Sequence, residues 1–269
     1  MQKKIITLTT DFGKQTQGIG NMEGVIYQIN PDAKVIHLMH GIENFDLLTA
    51  ARTMETVYYM PIGFHVCVVD PSVGTKRKAI IVKVKRGDYF IGPDNGCLLT
   101  AARLLGGVEK IVLISNEKYL LLPVSPIFHG RHVFAPVAAH LSLGVPMEEF
   151  GKELLQEDVT PAIYDEAHFA DGMIKAKVIH VNHFGSLHLN ILHAEFDKLD
   201  LQIGEKVELQ FGNKKIILPF LQTFGDVASG EALIMYDDYQ RIEIAVNKGN
   251  FAERTGLKIG DCVVLRKVV

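Results

Sequence analysis

The hydrophobic pattern of this chain changes period part-way along, and that change limits its architecture more than any other feature. Up to about residue 165, short apolar runs rich in β-branched residues alternate with segments whose apolar positions recur every three or four residues. The runs predict strands over 5–9, 35–39, 65–69, 79–84, 89–91 and 110–115. The longer segments predict helices over 18–29, 46–60, 97–105 and 133–143, with Asp46 as a cap or first-turn acid. Beyond 160–172 the helical period disappears. Short apolar runs over 174–181, 187–192, 206–211, 216–219, 232–236, 242–246 and 262–267 follow one another, with Gly-rich turns such as Gly212-Asn213 and Gly260-Asp261 between them. The chain therefore reads as α/β: an N-terminal, mainly parallel α/β sandwich domain over 1–165, then a smaller C-terminal antiparallel β-barrel domain over 166–269.

Composition narrows the function classes. With 48% hydrophobic and 22% charged residues in 269, the chain has ample material for a packed core, which excludes disorder. Twenty-eight basic against 31 acidic residues leave a net charge of −3 and no nucleic-acid or anionic-membrane footprint. No apolar run approaches the roughly 18–20 residues a membrane span needs. Lys3 and Lys4 precede a short run closed by Asp11, which reads as a first strand rather than a signal peptide. Cys67, Cys97 and Cys262 are widely separated and show no C-x-x-C spacing, so reduced thiols in a cytoplasmic protein are expected.

Four segments place polar residues where strands end, the position at which open α/β sheets meet ligands. Asp11 follows strand one. It is either a turn aspartate or a carboxylate able to accept two hydrogen bonds, as from a ribose diol. Asp70 ends the strand over 65–69, and Arg77 lies seven residues on, within reach of a pairing that is either structural or functional. The Gly92-Pro93-Asp94-Asn95-Gly96 loop reads as structural, a support for a neighbour. His129 stands before a helix, either as a cap or as an imidazole that accepts a proton near pH 7. The eleven histidines form no H-E-x-x-H or Cys/His zinc pattern, so no metal is expected. G-x-G-x-x-G, Walker A and G-x-S-x-G are absent too.

Taken in order, ITLTTDFG, GNMEGVI, HGIENFD, VVDPSVG with Arg77, PDNG, FHGRHVFAP, VNHFGS and IEIAVN span nearly the whole chain. In them the sequence resembles the S-adenosylmethionine (SAM) hydroxide adenosyltransferases, or SAM hydrolases, whose halogenating relatives are the fluorinases and chlorinases. The resemblance implies attack of water or hydroxide at the ribose C5′ of SAM, giving adenosine and L-methionine with no cofactor. It implies Asp70, Arg77 and His129 as the catalytic trio and Asp11 as the ribose ligand. Asn182, Phe184, Ser186 and Asp238 become the substrate contacts of the β domain. Asn182 stands where the family has an aspartate for the methionine ammonium, and Ser186 where it has an asparagine near the adenine. Ser72 replaces a usual glycine. The resemblance also implies a homotrimer with its site between subunits. Two other readings remain: a halogenase, disfavoured because Asp70 and Val73 replace the aromatic hydroxyl and threonine near the halide, and a non-catalytic adenosine- or SAM-binding protein.

Overall fold

The computed structural model describes residues 5–13 and 15–268; Lys3 and Lys4 lie outside the described residues. The chain divides into two compact units, Met1–Ile163 and Tyr164–Val269.

In the first unit, strands β1 (Ile5–Thr10), β2 (Lys34–Met39), β3 (Phe64–Val68), β4 (Ala79–Val84), β5 (Tyr89–Pro93), β6 (Val108–Leu113) and β7 (Glu153–Leu154) form one sheet in the order β2-β1-β3-β5-β4-β6-β7. The β2, β1, β3 and β5 strands are parallel neighbours, whereas β5–β4, β4–β6 and β6–β7 pair antiparallel. The sheet is thus more mixed than the sequence suggested. The reason is local: only the short Lys85-Arg86-Gly87-Asp88 turn joins β4 to β5, which allows a hairpin but not the crossover a parallel pair requires.

Helices cover both faces, as expected. Helix α1 (Gln17–Ile29) is capped by the Thr16 side chain accepting from the Gly18 N–H, and α2 (Leu47–Glu55) by Asp46 accepting from the Thr49 N–H. With them stand α3 (Cys97–Ala102) and α4 (Ala135–Ser142). Alternation along the strands divides the core. Val66 and Val68 pack with Met22 and Ile26 of α1 and Val137 of α4, while Cys67 and Val69 pack with Ala50 and Met54 of α2 and Leu98 of α3. The helices expected over 46–60 and 97–105 tighten into 3₁₀ turns at Thr56–Tyr59 and Arg103–Leu105. The one expected over 133–143 is preceded by a π-helical turn at Gly130–Phe134.

The second unit is antiparallel throughout its main sheet. Strands β8 (Phe169–Ala170), β9 (Met173–Val181), β10 (Leu187–Leu192), β11 (Lys206–Phe211), β12 (Lys214–Pro219), β13 (Ala232–Tyr236), β14 (Arg241–Val246) and β15 (Cys262–Lys267) run in the order β12-β11-β15-β9-β10-β14-β13, with β8 on β9. The two edges approach each other. Phe220 bridges Ile234, and the Leu221 N–H donates to the Ile234 carbonyl at 3.0 Å, so the barrel nearly closes. Ile174, Val178, Leu189, Leu209, Ile244 and Leu265 fill the interior. Two short helices, α5 (His193–Phe196) and α6 (Phe251–Thr255), interrupt a run of strands that the sequence reading left unbroken. At four and five residues they are too short to show a 3.6-residue period.

Candidate active site

Strands β1 and β3 are parallel and in register at Thr10 and Val68, so the loops that follow them leave the sheet side by side. One carries Asp11 and the other Asp70. After Asp70 the chain turns back through Gly74, whose φ of +78° favours glycine. A Cβ there would stand 2.7 Å from the Pro126 carbonyl oxygen, so the absent side chain also lets the segment leading to His129 come close. Asn95 secures the base of the loop, donating from Nδ2 to the Val69 carbonyl at 2.8 Å. Asp94 accepts from the Thr160 N–H at 2.7 Å. The loop over 92–96 is therefore a support, in keeping with its turn chemistry.

Arg77 folds back onto Asp70 as a fork. Its Nε donates to Oδ1 at 3.2 Å and its Nη2 to Oδ2 at 2.5 Å, with both side chains almost wholly buried. The same Nη2 lies 2.9 Å from Nδ1 of His129, and Nη1 donates to the Lys78 carbonyl at 3.1 Å. The Phe134 ring lies 5.5 Å from the guanidinium carbon. Asp70, Arg77 and His129 thus form one hydrogen-bonded trio.

The trio fixes a protonation state. A guanidinium has no acceptor, so His129 Nδ1 must offer its lone pair and the ring proton must sit on Nε2. Burial, and then the charge of Arg77, lower the His129 pKa, which favours the same neutral ring. The proton-accepting role expected from sequence is therefore open to His129 only if its ring leaves Arg77. As placed, it presents an N–H.

A cavity of about 270 Å³ opens beside the trio, lined among others by Asp11, Phe45, Asp70, Val73, Phe128 and His129. Asp11 Oδ2 accepts from the Phe45 N–H at 3.0 Å. The apolar rim is open: Phe45 is 62% exposed and Ile127 80%. The π-helical turn after His129 is a local distortion of the kind often found at functional sites. Gly130 in it is tightly surrounded, since a Cβ would come within 3.0 Å of the Met22 sulfur.

In the second unit, Asn182 and Ser186 share the β9–β10 turn. Asn182 Oδ1 accepts from the N–H groups of Phe184 and Ser186, both at 3.0 Å, and its Nδ2 faces His188 Nε2 at 3.5 Å. Phe184 projects from this turn and is 75% exposed. Asp238 is exposed on the loop after β13. Its neighbour Asp237, which the sequence reading passed over, is buried and takes the His188 Nδ1–H at 2.9 Å. Only the pairing of β9 with β10, which sets His180 opposite His188, hinted at that cluster.

Two family models cover most of the chain. The SAM hydroxide adenosyltransferase N-terminal domain matches residues 6–151 and the corresponding C-terminal domain residues 176–264. The chain belongs to the SAM hydroxide adenosyltransferase family. Among members of known activity, it is 36% identical to the (R)-S-adenosyl-L-methionine hydrolase of Salinispora tropica, over 95% of both chains. The crystal structure of an uncharacterized conserved protein from Thermotoga maritima superposes with a TM-score of 0.89 at 34% identity, covering 97% of this chain and 100% of that one. The fluorinase of an Actinoplanes species stands further off, at 24% identity over 98% of this chain and 97% of its own. Family membership, with the identity to such hydrolases, supports enzymatic, hydrolase activity.

Proposed function

We propose that the cavity beyond β1 and β3 holds S-adenosyl-L-methionine and that the Asp70–Arg77–His129 trio directs water onto its ribose C5′. In this step a C5′–O bond forms and the C5′–S bond breaks. Its electron pair goes to sulfur, so methionine leaves as a neutral thioether. Adenosine and one proton are the other products. A sulfonium needs no acid to depart, and nothing in the step calls for a redox cofactor. The difficulty is the nucleophile. A guanidinium held between Asp70 and His129, both of which line the cavity, stabilises developing hydroxide character, and holding oxygen, carbon and sulfur in line supplies the rest. The observation that carries the reading is the fork from Arg77 to Asp70 with its further hydrogen bond to His129 at the cavity wall.

Asp11 takes the ribose hydroxyls in this reading, while Asn182, Phe184, Ser186 and Asp238 serve the methionine and adenine ends. The open apolar rim at Phe45 and Ile127, together with exposed Phe184, supports a homotrimer whose subunits complete one another's sites. Light scattering on the purified protein tests that. Three unpaired cysteines fit a cytoplasmic location. Among the described residues no helix is long and apolar enough to cross a membrane.

Incubation with SAM, followed by chromatography, is expected to give adenosine and methionine in equal amounts, with and without chloride or fluoride. Binding without turnover would replace this reading with a SAM-binding protein. Formation of 5′-halo-5′-deoxyadenosine would make it a halogenase, against which the Asp70 carboxylate at the cavity wall argues by charge repulsion.

A further inference from the structure

A second polar chain runs from the cavity edge to the surface, and none of its members belongs to the trio. It begins at Thr10, the last residue of β1, and passes through His40 and His37 to Glu23 on α1. Thr10 Oγ1 lies 2.9 Å from His40 Nδ1, His40 Nε2 lies 2.8 Å from His37 Nδ1, and His37 Nε2 lies 3.3 Å from a Glu23 oxygen.

The direction of every bond follows from its outer end. The Glu23 carboxylate can only accept, so with His37 neutral its ring proton sits on Nε2 and its Nδ1 holds a lone pair. His40 must then donate from Nε2, which leaves its Nδ1 as an acceptor. The Thr10 hydroxyl consequently donates to His40, and its oxygen is free to accept the Phe12 N–H, which it does at 3.3 Å. Burial above all lowers the His40 pKa to about 4, so the ring stays neutral at physiological pH.

His40 holds the same loop a second time, through its backbone: its carbonyl accepts from the Gly13 N–H at 2.8 Å. Ring and carbonyl together bracket Asp11 on both sides. One grips Thr10 before it and the other Gly13 after it, while the Phe45 N–H holds its Oδ2. The neighbouring Thr9 hydroxyl, buried with no hydrogen-bond partner among the described residues, shows that a threonine here does not acquire one as a matter of course.

We propose that His40 is a positioning residue for substrate binding: acting through Thr10, it fixes the carboxylate of Asp11 in the orientation that receives the substrate's sugar. This rests on the reading of Asp11 given above, and the experiment separates the two. The affinity for adenosine, a ligand that carries the sugar but undergoes no reaction, is measured by calorimetry alongside kcat and KM for SAM. The variants are His40→Ala, His40→Gln, His40→Asn, Thr10→Val and Asp11→Asn. Loss of one part-buried, oriented hydrogen bond is expected to weaken adenosine binding about tenfold in His40→Ala and in near-isosteric Thr10→Val. KM should rise in step and kcat change little. His40→Asn should restore binding, because the asparagine oxygen reaches the place of Nδ1. His40→Gln should not, because its amide reaches the place of Nε2. Folding of each variant is checked by its thermal transition, and Thr10→Val, which preserves shape, serves even where a His40 variant unfolds. Unchanged affinity in folded Thr10→Val and His40→Ala, with Asp11→Asn weakened, would overturn the role of His40 alone. Equal affinity for asparagine and glutamine at position 40 would overturn it too, as would a fall in kcat with KM unmoved. If Asp11→Asn itself binds adenosine normally, the reading of Asp11 fails first and takes the proposal with it.

Discussion

Among the described residues the first unit holds two aspartate–arginine–histidine trios, and one of them, through Asp70 and His129, lines the cavity described above. Asp70, Arg77 and His129 lie beyond the carboxyl ends of the parallel strands. Asp88, Arg86 and His65 lie near the opposite end, where β5 begins one residue after Asp88 and β3 begins one residue before His65. In the buried trio the anion is central. Asp88 accepts from Arg86 Nε at 2.7 Å and Nη2 at 3.0 Å, from His65 Nε2 at 3.0 Å and from the Gly63 N–H at 3.1 Å. Thr7 occupies the other nitrogen of His65 at 3.0 Å, so nothing on the ring is left for a ligand. At the cavity the cation is central, serving Asp70 and His129 together, and among the described residues His129 Nε2 has no partner. In the reading proposed above, the same three residue types therefore make a structural clamp or a reactive site according to which charge is in the middle and what faces the last N–H.

That contrast is open to direct attack. The largest effect is expected from Asp88→Asn. It puts a neutral amide in the buried place of the carboxylate, facing a guanidinium that is itself partly exposed, which costs about 3 kcal/mol of stability in urea unfolding, the low end for breaking a buried pair. Turnover per folded molecule should stay unchanged. A loss of turnover without a loss of stability would place the buried trio in the chemistry and erase the distinction. Arg77→Ala is expected to do the reverse, lowering kcat by about 10²–10³-fold, the range for losing one preorganised donor to developing negative charge. KM for SAM should move far less. A matched loss in affinity and rate would assign Arg77 to substrate binding.

How much of this was legible in the sequence depends on the range of the interactions. The strands and long helices were, because burial imprints a period on the residues themselves: Met22 and Ile26 face one core, while Ala50 and Met54 face the other. Caps such as Asp46 were legible for the same local reason. The pairing of Asp70 with Arg77 spans seven residues and could be anticipated, but His129 joins them from 52 residues away, and although its place before a helix marked it as a candidate, its grouping with them came from family resemblance. His40 and His37 were visible as a three-residue spacing, yet their meaning depends on Thr10, 30 residues distant, and on a helix partner. The Asp88 trio escaped because Arg86-Gly87-Asp88 reads as an ordinary hairpin turn, and nothing local reveals that His65 is buried beside it. Asp237 was passed over because neighbours on a loop differ in burial, not in type.

The smallest expected effect, in pH dependence, sharpens the comparison most, because the two trios should respond to acid at different points. Hydrogen bonds from His65 and Arg86 outweigh the upward push of burial on Asp88 and hold its pKa at about 2. A depressed carboxylate adds stability that is fully present above its unfolded value near 4 and is lost as pH falls through its folded value. Wild type should therefore lose stability between about pH 4 and 2, and Asp88→Asn should lack that component. His129 is shifted downward too. Its protonated form cannot accept from Arg77 at Nδ1, and burial and the Arg77 charge both lower its pKa, so it gains a proton only below the ordinary imidazole value near 6.5. The acid limb of kcat/KM for SAM should then lie below about 6.5 while the protein remains fully folded, and it should move up toward that value when Arg77 is replaced. A rate limb that coincides with acid unfolding would show that the cavity trio titrates only when the fold does, which would remove its difference from the buried one.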